Sequence, residues 1–268
     1  MKSLNGSELA GFIKERQAHQ VRGLIQGYLV TPKLAIVQTV HIPTIDAYVN
    51  LKKKYGADIQ VDVEPHVVEQ SGALQVIEQL NADSTEHGII VQLPVADPAK
   101  TDELVNAVDP AKDVDGLGQH PDFDPATPTA VNWLLAGYNV ELRQKKIVIV
   151  GQGRLVGAPL ARMFRDSGLD VEVADKTIED LGALTRRADI LITATGQPGL
   201  IKSDMIQPDA VVVDAGVATD AGKLVGDLAD DVRERNDLTI TPAKGGVGPL
   251  TVCSLFENVI TAARRSVK

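Results

Sequence analysis

Lys146-Ile-Val-Ile-Val150 runs directly into Gly151-Gln-Gly153-Arg-Leu-Val-Gly157, and this stretch decides the fold. An unbroken run of β-branched apolar residues reads as a strand buried on both faces. The pattern from about residue 155 to 167 reads as a helix. A glycine turn between strand and helix brings backbone N–H groups toward an anion, whose charge the helix N-terminus favours. The spacing is one residue longer than the commonest dinucleotide fingerprint, and a glycine triplet alone is also an ordinary turn. Context decides between the two. The next strand, residues 170–174, ends at Asp175, 24 residues after Gly151. An acid there can bond a ribose 2′-hydroxyl, although a lone Asp also suits a solvated turn. The combination predicts a Rossmann-type nicotinamide site.

Working outward, residues 178–187 read as a helix, and 190–194, 210–214 and 238–241 as strands. An amphipathic helix over 249–267 closes the chain. Upstream, helical spacing over 7–29, 44–54, 71–81 and 98–108 alternates with apolar runs at 34–38, 59–63 and 88–94. Alternating strands and helices argue for a parallel sheet wrapped by helices. Between residues 109 and 128 Asp, Pro, Gly and Thr replace apolar periodicity, which reads as a functional loop leading to a domain boundary, followed by a helix over 129–138. The expected organisation is α/β with two domains: residues 1–122, completed by a helix over 249–268, and a Rossmann-type domain over 123–248.

Composition limits the function. The 268 residues carry 27 Lys plus Arg against 36 Asp plus Glu, a net charge of −9, which disfavours nucleic acid as a partner. One cysteine excludes an internal disulfide framework, and no apolar run is long enough for a membrane span. A cytoplasmic protein without membrane contact is expected. His19, His41, His66, His87 and His120 are not spaced as metal ligands, so no metal site is expected. Cys253 reads as a small core residue.

Three further segments carry chemistry. Tyr48-Val-Asn-Leu-Lys52 puts two side chains on one helix face, although Lys52-Lys53-Lys54 also suits a solvated face. Gly88-Ile-Ile-Val-Gln92-Leu-Pro94 ends an apolar strand with a glutamine, either at a ligand-binding strand end or as a plain polar terminus. Lys112-Asp-Val-Asp115-Gly116 pairs two acids in a loop, with no His or Cys cluster beside them.

With Val156-Gly-Ala-Pro159 and Gly245-Gly-Val-Gly-Pro-Leu-Thr251, these segments resemble, in order and across nearly the whole chain, the methylenetetrahydrofolate dehydrogenase/cyclohydrolase family. The resemblance implies a folate domain and a nicotinamide domain with a cleft between them, and a homodimer. It implies oxidation of 5,10-methylenetetrahydrofolate with NAD(P)+, then hydrolysis of the methenyl product to 10-formyltetrahydrofolate. By the same resemblance Lys52 is the catalytic lysine, Gln92 its hydrogen-bond partner, and Tyr48 the residue that stacks on the folate. Asp115 grips the pterin edge, Asp113 shapes the loop, and Gly245, Gly246, Val247, Gly248 and Pro249 line the folate side. Gly151, Gln152, Gly153, Arg154, Val156, Gly157, Asp175, Lys176, Thr195, Gly196, Gly216 and Val217 surround the cofactor.

The chain departs from the family pattern at several places. The segment after Lys54 is short before Gly56, so the helix carrying Lys52 is expected to end early. Ala126 replaces a cysteine, Lys244 replaces a proline, and Gln152-Gly153 replaces the usual loop residues. Asp175 stands where relatives carry Ser, Arg or His. With Gln152 it favours NAD over NADP, because a carboxylate repels a 2′-phosphate; Lys176 argues the other way. Two other readings remain open on the residues: a Rossmann dehydrogenase acting on another small substrate, and a non-catalytic protein of the same fold that senses the cofactor.

Overall fold

The computed structural model describes residues 2–220 and 223–267. In chain order the elements are β1 (Lys2–Ser3), α1 (Gly6–Tyr28), β2 (Lys33–Gln38), α2 (Pro43–Ile59), β3 (Asp62–Val67), α3 (Ala73–Ala82), β4 (Gly88–Gln92), α4 (Thr101–Asn106) and α5 (Ala126–Gly137). They continue with β5 (Ile147–Val150), α6 (Gly157–Asp166), β6 (Val171–Ala174), α7 (Leu181–Thr185), β7 (Ile190–Thr193), β8 (Val211–Asp214), β9 (Ala218–Asp220), β10 (Lys223–Val225), α8 (Asp230–Arg233), β11 (Thr239–Ile240) and α9 (Val247–Ser266). The chain divides into two compact units: Gly11–Ala126 with Val252–Lys268, and Met1–Ala10 with Thr127–Thr251.

The first unit is built on a parallel sheet in the order β3-β2-β4. Leu34, Ala35, Ile36 and Val37 of the central strand are all fully buried, as a strand covered on both faces requires. Because side chains alternate across a strand, Leu34 and Ile36 join one layer with Val49, Phe256 and Ile260. Ala35 and Val37 join the other with Ile77, Ile89 and Leu104. The loop after α4 is held to α9 by Asn258, whose amide donates to the carbonyls of Val114 and Asp124 at 2.9 and 3.0 Å.

Helix α2 corrects two expectations. It does not end near Lys54 but runs to Ile59, and the following strand begins at Asp62 rather than Ile59. Ile45, Val49, Gly56 and Ile59 are its buried residues, so Ile59 belongs to the helical stripe. Gly56 is no stop signal; the backbone carbonyl of Val61 and the Val63 side chain crowd it, leaving no room for a Cβ. Termination falls to Gln60, in left-handed conformation with φ 64°, and Val61 N donates to Gly56 O at 2.9 Å.

The second unit holds a parallel six-stranded sheet in the order β6-β5-β7-β8-β11-β1. From β5 the chain steps outward to β6, then crosses to the other side of β5 for β7 and β8. The C-terminal ends of β5 and β7 therefore flank the point where strand order reverses, the place where open α/β sheets bind ligands. The expectation that residues 1–10 belong with the folate domain is corrected here. Lys2 and Ser3 pair with Thr239 and Ile240, and Leu4 is fully buried with its amide on Ile240 O at 2.9 Å. An open sheet edge and a buried leucine bring the first residues to this unit. Helix α7 is shorter than the expected 178–187, because Asp180 caps it by accepting from Ala183 N at 2.8 Å. The β9–β10 hairpin is antiparallel. Among the described residues, no helix is long and apolar enough to cross a membrane.

Candidate active site

In the first unit, two of the sequence-predicted residues, Lys52 and Gln92, meet at the C-terminal edge of the sheet. Lys52 and Tyr48 lie one turn apart on α2, both half-buried. Gln92 ends β4 and is followed by a cis Leu93–Pro94 bond. The Lys52 ammonium donates to Gln92 Oε1 at 2.8 Å, while the Gln92 amide donates to Leu93 O at 3.0 Å. The glutamine oxygen is thereby oriented toward the lysine. Burial holds the Lys52 pKa below the ordinary lysine value, and the negative charge of Asp115 opposes that shift. Burial pushes Asp115 up to about 6, with Lys52 pulling it down and Asp113 pushing it further up. The site thus contains an amine that burial makes easier to deprotonate and a carboxyl group that burial pushes up to about 6.

The loop residues around Asp115 have separate tasks. Lys112 reaches back to the end of α3 and donates to the carbonyls of Leu80, Asn81 and Asp83 at 2.9, 2.8 and 2.7 Å. Asp113 is buried and accepts from Gly116 N at 3.0 Å and Gly118 N at 2.8 Å, closing the turn. Asp115 is the acid of the pair that interacts with Lys52.

In the second unit the glycine loop sits at the strand-order reversal. Gly151 has φ 107°, and a Cβ there would stand 2.5 Å from Ala194 O at the end of β7. Gly157, at the start of α6, presses against the Gly151 carbonyl so closely that no Cβ fits. Nothing stands where a side chain on Gly153 would point. Tight turn, close helix approach and open backbone at the middle glycine are what a pyrophosphate site needs, and the described residues fit a dinucleotide. Gln152, Arg154 and Lys176 are exposed, and Val156 is half-buried. Asp175 follows β6 and accepts from Thr177 N at 2.8 Å and Thr177 Oγ1 at 2.6 Å, bonds that hold its pKa below the usual carboxylate value. Thr195 and Gly196 follow β7, and Gly216 and Val217 follow β8. Gly245 and Gly246 pack against Gly6 and Ser7, with Ser7 N on Gly245 O at 2.9 Å. They are thus part of this unit, while Val247, Gly248 and Pro249 open α9.

Two family models match the chain: the tetrahydrofolate dehydrogenase/cyclohydrolase catalytic domain over residues 4–115, and the NAD(P)-binding domain of the same enzymes over 125–267. The chain belongs to the tetrahydrofolate dehydrogenase/cyclohydrolase family. The bifunctional protein FolD of Exiguobacterium sibiricum is 38% identical over 88% of this chain and 90% of its own length. The crystal structure of the bifunctional FolD dehydrogenase/cyclohydrolase of Campylobacter jejuni superposes with a TM-score of 0.93, at 32% identity and 99% coverage of both chains. That of the Trypanosoma brucei dehydrogenase-cyclohydrolase, complexed with NADP and an inhibitor, gives 0.91 at 30% identity, covering 99% of this chain and 98% of the other.

Within this family frame, Gln38 is a residue that motif reading overlooks. It is 2% exposed, lies in register beside Gln92, and donates to Val40 O at 2.7 Å and Asp46 Oδ1 at 2.8 Å. His41 bonds the same Asp46 oxygen at 2.8 Å. The signal was available, because β2 ends an apolar run with a glutamine just as β4 does. Asp227 is also overlooked, since a lone aspartate in a loop carries no pattern. Among the described residues no group of three or more His, Cys, Asp or Glu could hold a metal ion.

Proposed function

We propose that this chain oxidises 5,10-methylenetetrahydrofolate to 5,10-methenyltetrahydrofolate and hydrolyses that product to 10-formyltetrahydrofolate. The observation that carries the reading is the Lys52–Gln92 bond at 2.8 Å, beside an Asp115 that titrates near 6. When bound, the nicotinamide of NAD(P)+ supplies the hydride acceptor. The protein's task in that step is alignment, since the folate nitrogen lone pair drives hydride departure.

Hydrolysis asks more of the side chains. Water adds to the methenyl carbon and loses one proton. As the adduct's hydroxyl becomes the formyl carbonyl it gives up the second, the carbon–nitrogen bond breaks and the departing nitrogen takes up one proton, so that one proton is released to solvent overall. A neutral Lys52 amine can donate one N–H to Gln92 and turn its lone pair to the water; the protonated amine then returns a proton to the departing nitrogen. Burial favours the neutral form needed at the start. Asp115 would accept two parallel N–H bonds from the pterin's aminopyrimidinone edge. Tyr48, one turn before Lys52, would stack on the folate. In the cofactor site Asp175 and Gln152 favour NAD over NADP.

The test follows methenyltetrahydrofolate absorbance. It should appear from methylenetetrahydrofolate with a nicotinamide cofactor, and decay faster than in buffer when methenyltetrahydrofolate is supplied alone. A chain that does neither is not this enzyme.

A further inference from the structure

We propose that Asp227 is a positioning residue for the nicotinamide half of the cofactor, gripping with its carboxylate the loop over which that half lies. The proposal rests on the cofactor reading above. Asp227 is fully buried. One carboxylate oxygen accepts from Thr195 N at 2.7 Å and the other from Gln197 N at 3.0 Å, so the segment after β7 is held at two points. Gly196 lies between them with φ 67°. The Asp227 amide donates to Asp214 Oδ1 at 3.0 Å. Asp214 ends β8 and also accepts from Gly216 N at 3.2 Å, Leu228 N at 3.3 Å and the Arg233 guanidinium at 3.1 Å. One pair of buried carboxylates therefore ties together the loops after β7 and β8. The Asp227 carboxylate fills the space where a Cβ on Gly216 would go.

Topology says which half of the dinucleotide these loops meet. The pyrophosphate belongs at the turn after β5, and the adenosine ribose at the end of β6. Strands β7 and β8 lie on the other side of β5, so the remaining ribose and the nicotinamide extend over their ends. A carboxylate suits the task better than an amide. Two convergent N–H donors need two acceptor oxygens, whereas an asparagine offers one oxygen and turns an NH2 toward the second donor. Loop geometry is then disturbed first where the nicotinamide binds, since both gripped amides follow β7, whereas the pyrophosphate turn follows β5.

The experiment titrates the full chain with NAD+, NADP+ and ADP by calorimetry; ADP probes the adenosine and pyrophosphate positions alone. In Asp227→Asn the dinucleotide that the parent binds more tightly should weaken tenfold or more, while ADP stays within twofold. Gly226→Ala, whose new Cβ would collide with the Asp214 carboxylate, tests the same pair from the other side and should give the same split. Dinucleotide and ADP affinities that fall together in both variants overturn the proposal, because the acids would then serve only folding. So does a dinucleotide affinity within twofold of the parent in both, or a parent that binds neither dinucleotide more tightly than ADP. Turnover of methylenetetrahydrofolate by the parent tests the reaction separately, since the binding split can hold in a chain that does not catalyse it.

Discussion

The Lys52 ammonium stands 2.8 Å from Gln92 Oε1, and burial lowers its pKa. A hydrogen-bond acceptor oriented at a half-buried amine fixes its position without adding a charge that would hold the proton on. Replacing Lys52 with Met keeps most of the volume and removes the proton carrier. Hydrolysis of methenyltetrahydrofolate should fall by about 10²–10⁴-fold. Hydride transfer, which moves no proton through this residue, should fall far less. Single-turnover rates of the two steps measured separately give the comparison. Equal losses in both would place Lys52 in substrate binding instead.

Asp115 sets a pH dependence whose sign follows from its raised pKa. The folded value is about 6 against 3.8 for a free carboxyl, so its favourable contribution to stability is complete below about 3.8 and lost as pH rises through about 6. Asp115→Asn does not ionise, so its melting temperature should gain on the parent's between pH 4 and 7. Folate binding should move oppositely. The parent should gain affinity as the carboxylate forms above pH 6, and the variant should stay weak and flat. Losing a charge-assisted bidentate contact costs about 2–5 kcal/mol when the partner stays buried. Parallel melting-temperature and affinity profiles for the two proteins would remove Asp115 from the pterin edge.

Lys112 is a stability residue in a segment that reads as a catalytic motif. Its ammonium donates to the carbonyls of Leu80, Asn81 and Asp83, at the end of α3 where the helix dipole favours a cation. Lys112→Met should lower unfolding stability by about 1–3 kcal/mol, as expected for lost hydrogen bonds to a charged group. Denaturant unfolding measures this directly. At temperatures where the variant is folded, its methenyltetrahydrofolate hydrolysis should stay within a few fold of the parent.

What could be read in the sequence was what a short pattern can carry. Lys52, Gln92, Asp115 and the glycines from 151 to 157 lie in local motifs, and strands such as β2 and β5 are apolar runs that only a doubly covered sheet explains. Features set by distant contacts were not readable. Two residues cannot display a strand period, so β1 depends on the open edge of β11. Gly56 looks like a helix stop until Val61 and Val63 are seen against it. Asp227 looks like a solvated turn acid, because its carboxylate's partners are backbone amides of the segment after β7. Lys112 and Asp113 were legible as members of a motif, but their tasks as helix cap and turn closure depend on α3 and on the amides of Gly116 and Gly118.

The proposed preference for NAD over NADP is tested at Asp175. It follows β6, where the adenosine ribose of a Rossmann site sits. Its bonds from Thr177 N and Oγ1 lower its pKa, so it is ionised throughout the neutral range. A fixed negative charge beside the ribose accepts hydrogen bonds from the two free hydroxyls of NAD and repels the 2′-phosphate of NADP. Gln152 supplies no cation to offset that repulsion. Lys176 is the opposing group, exposed and adjacent. The same Thr177 bonds that keep Asp175 ionised also keep it in place, so Lys176 must act against a charge that does not swing away. A repulsion of about 1–3 kcal/mol gives a preference of roughly 5- to 150-fold. The parent should therefore show the higher kcat/KM with NAD+, and Asp175→Ser should move the ratio toward NADP+ by a similar factor. A parent that already favours NADP+ would mean that Lys176 outweighs the carboxylate, and Lys176→Ala should then reverse the preference.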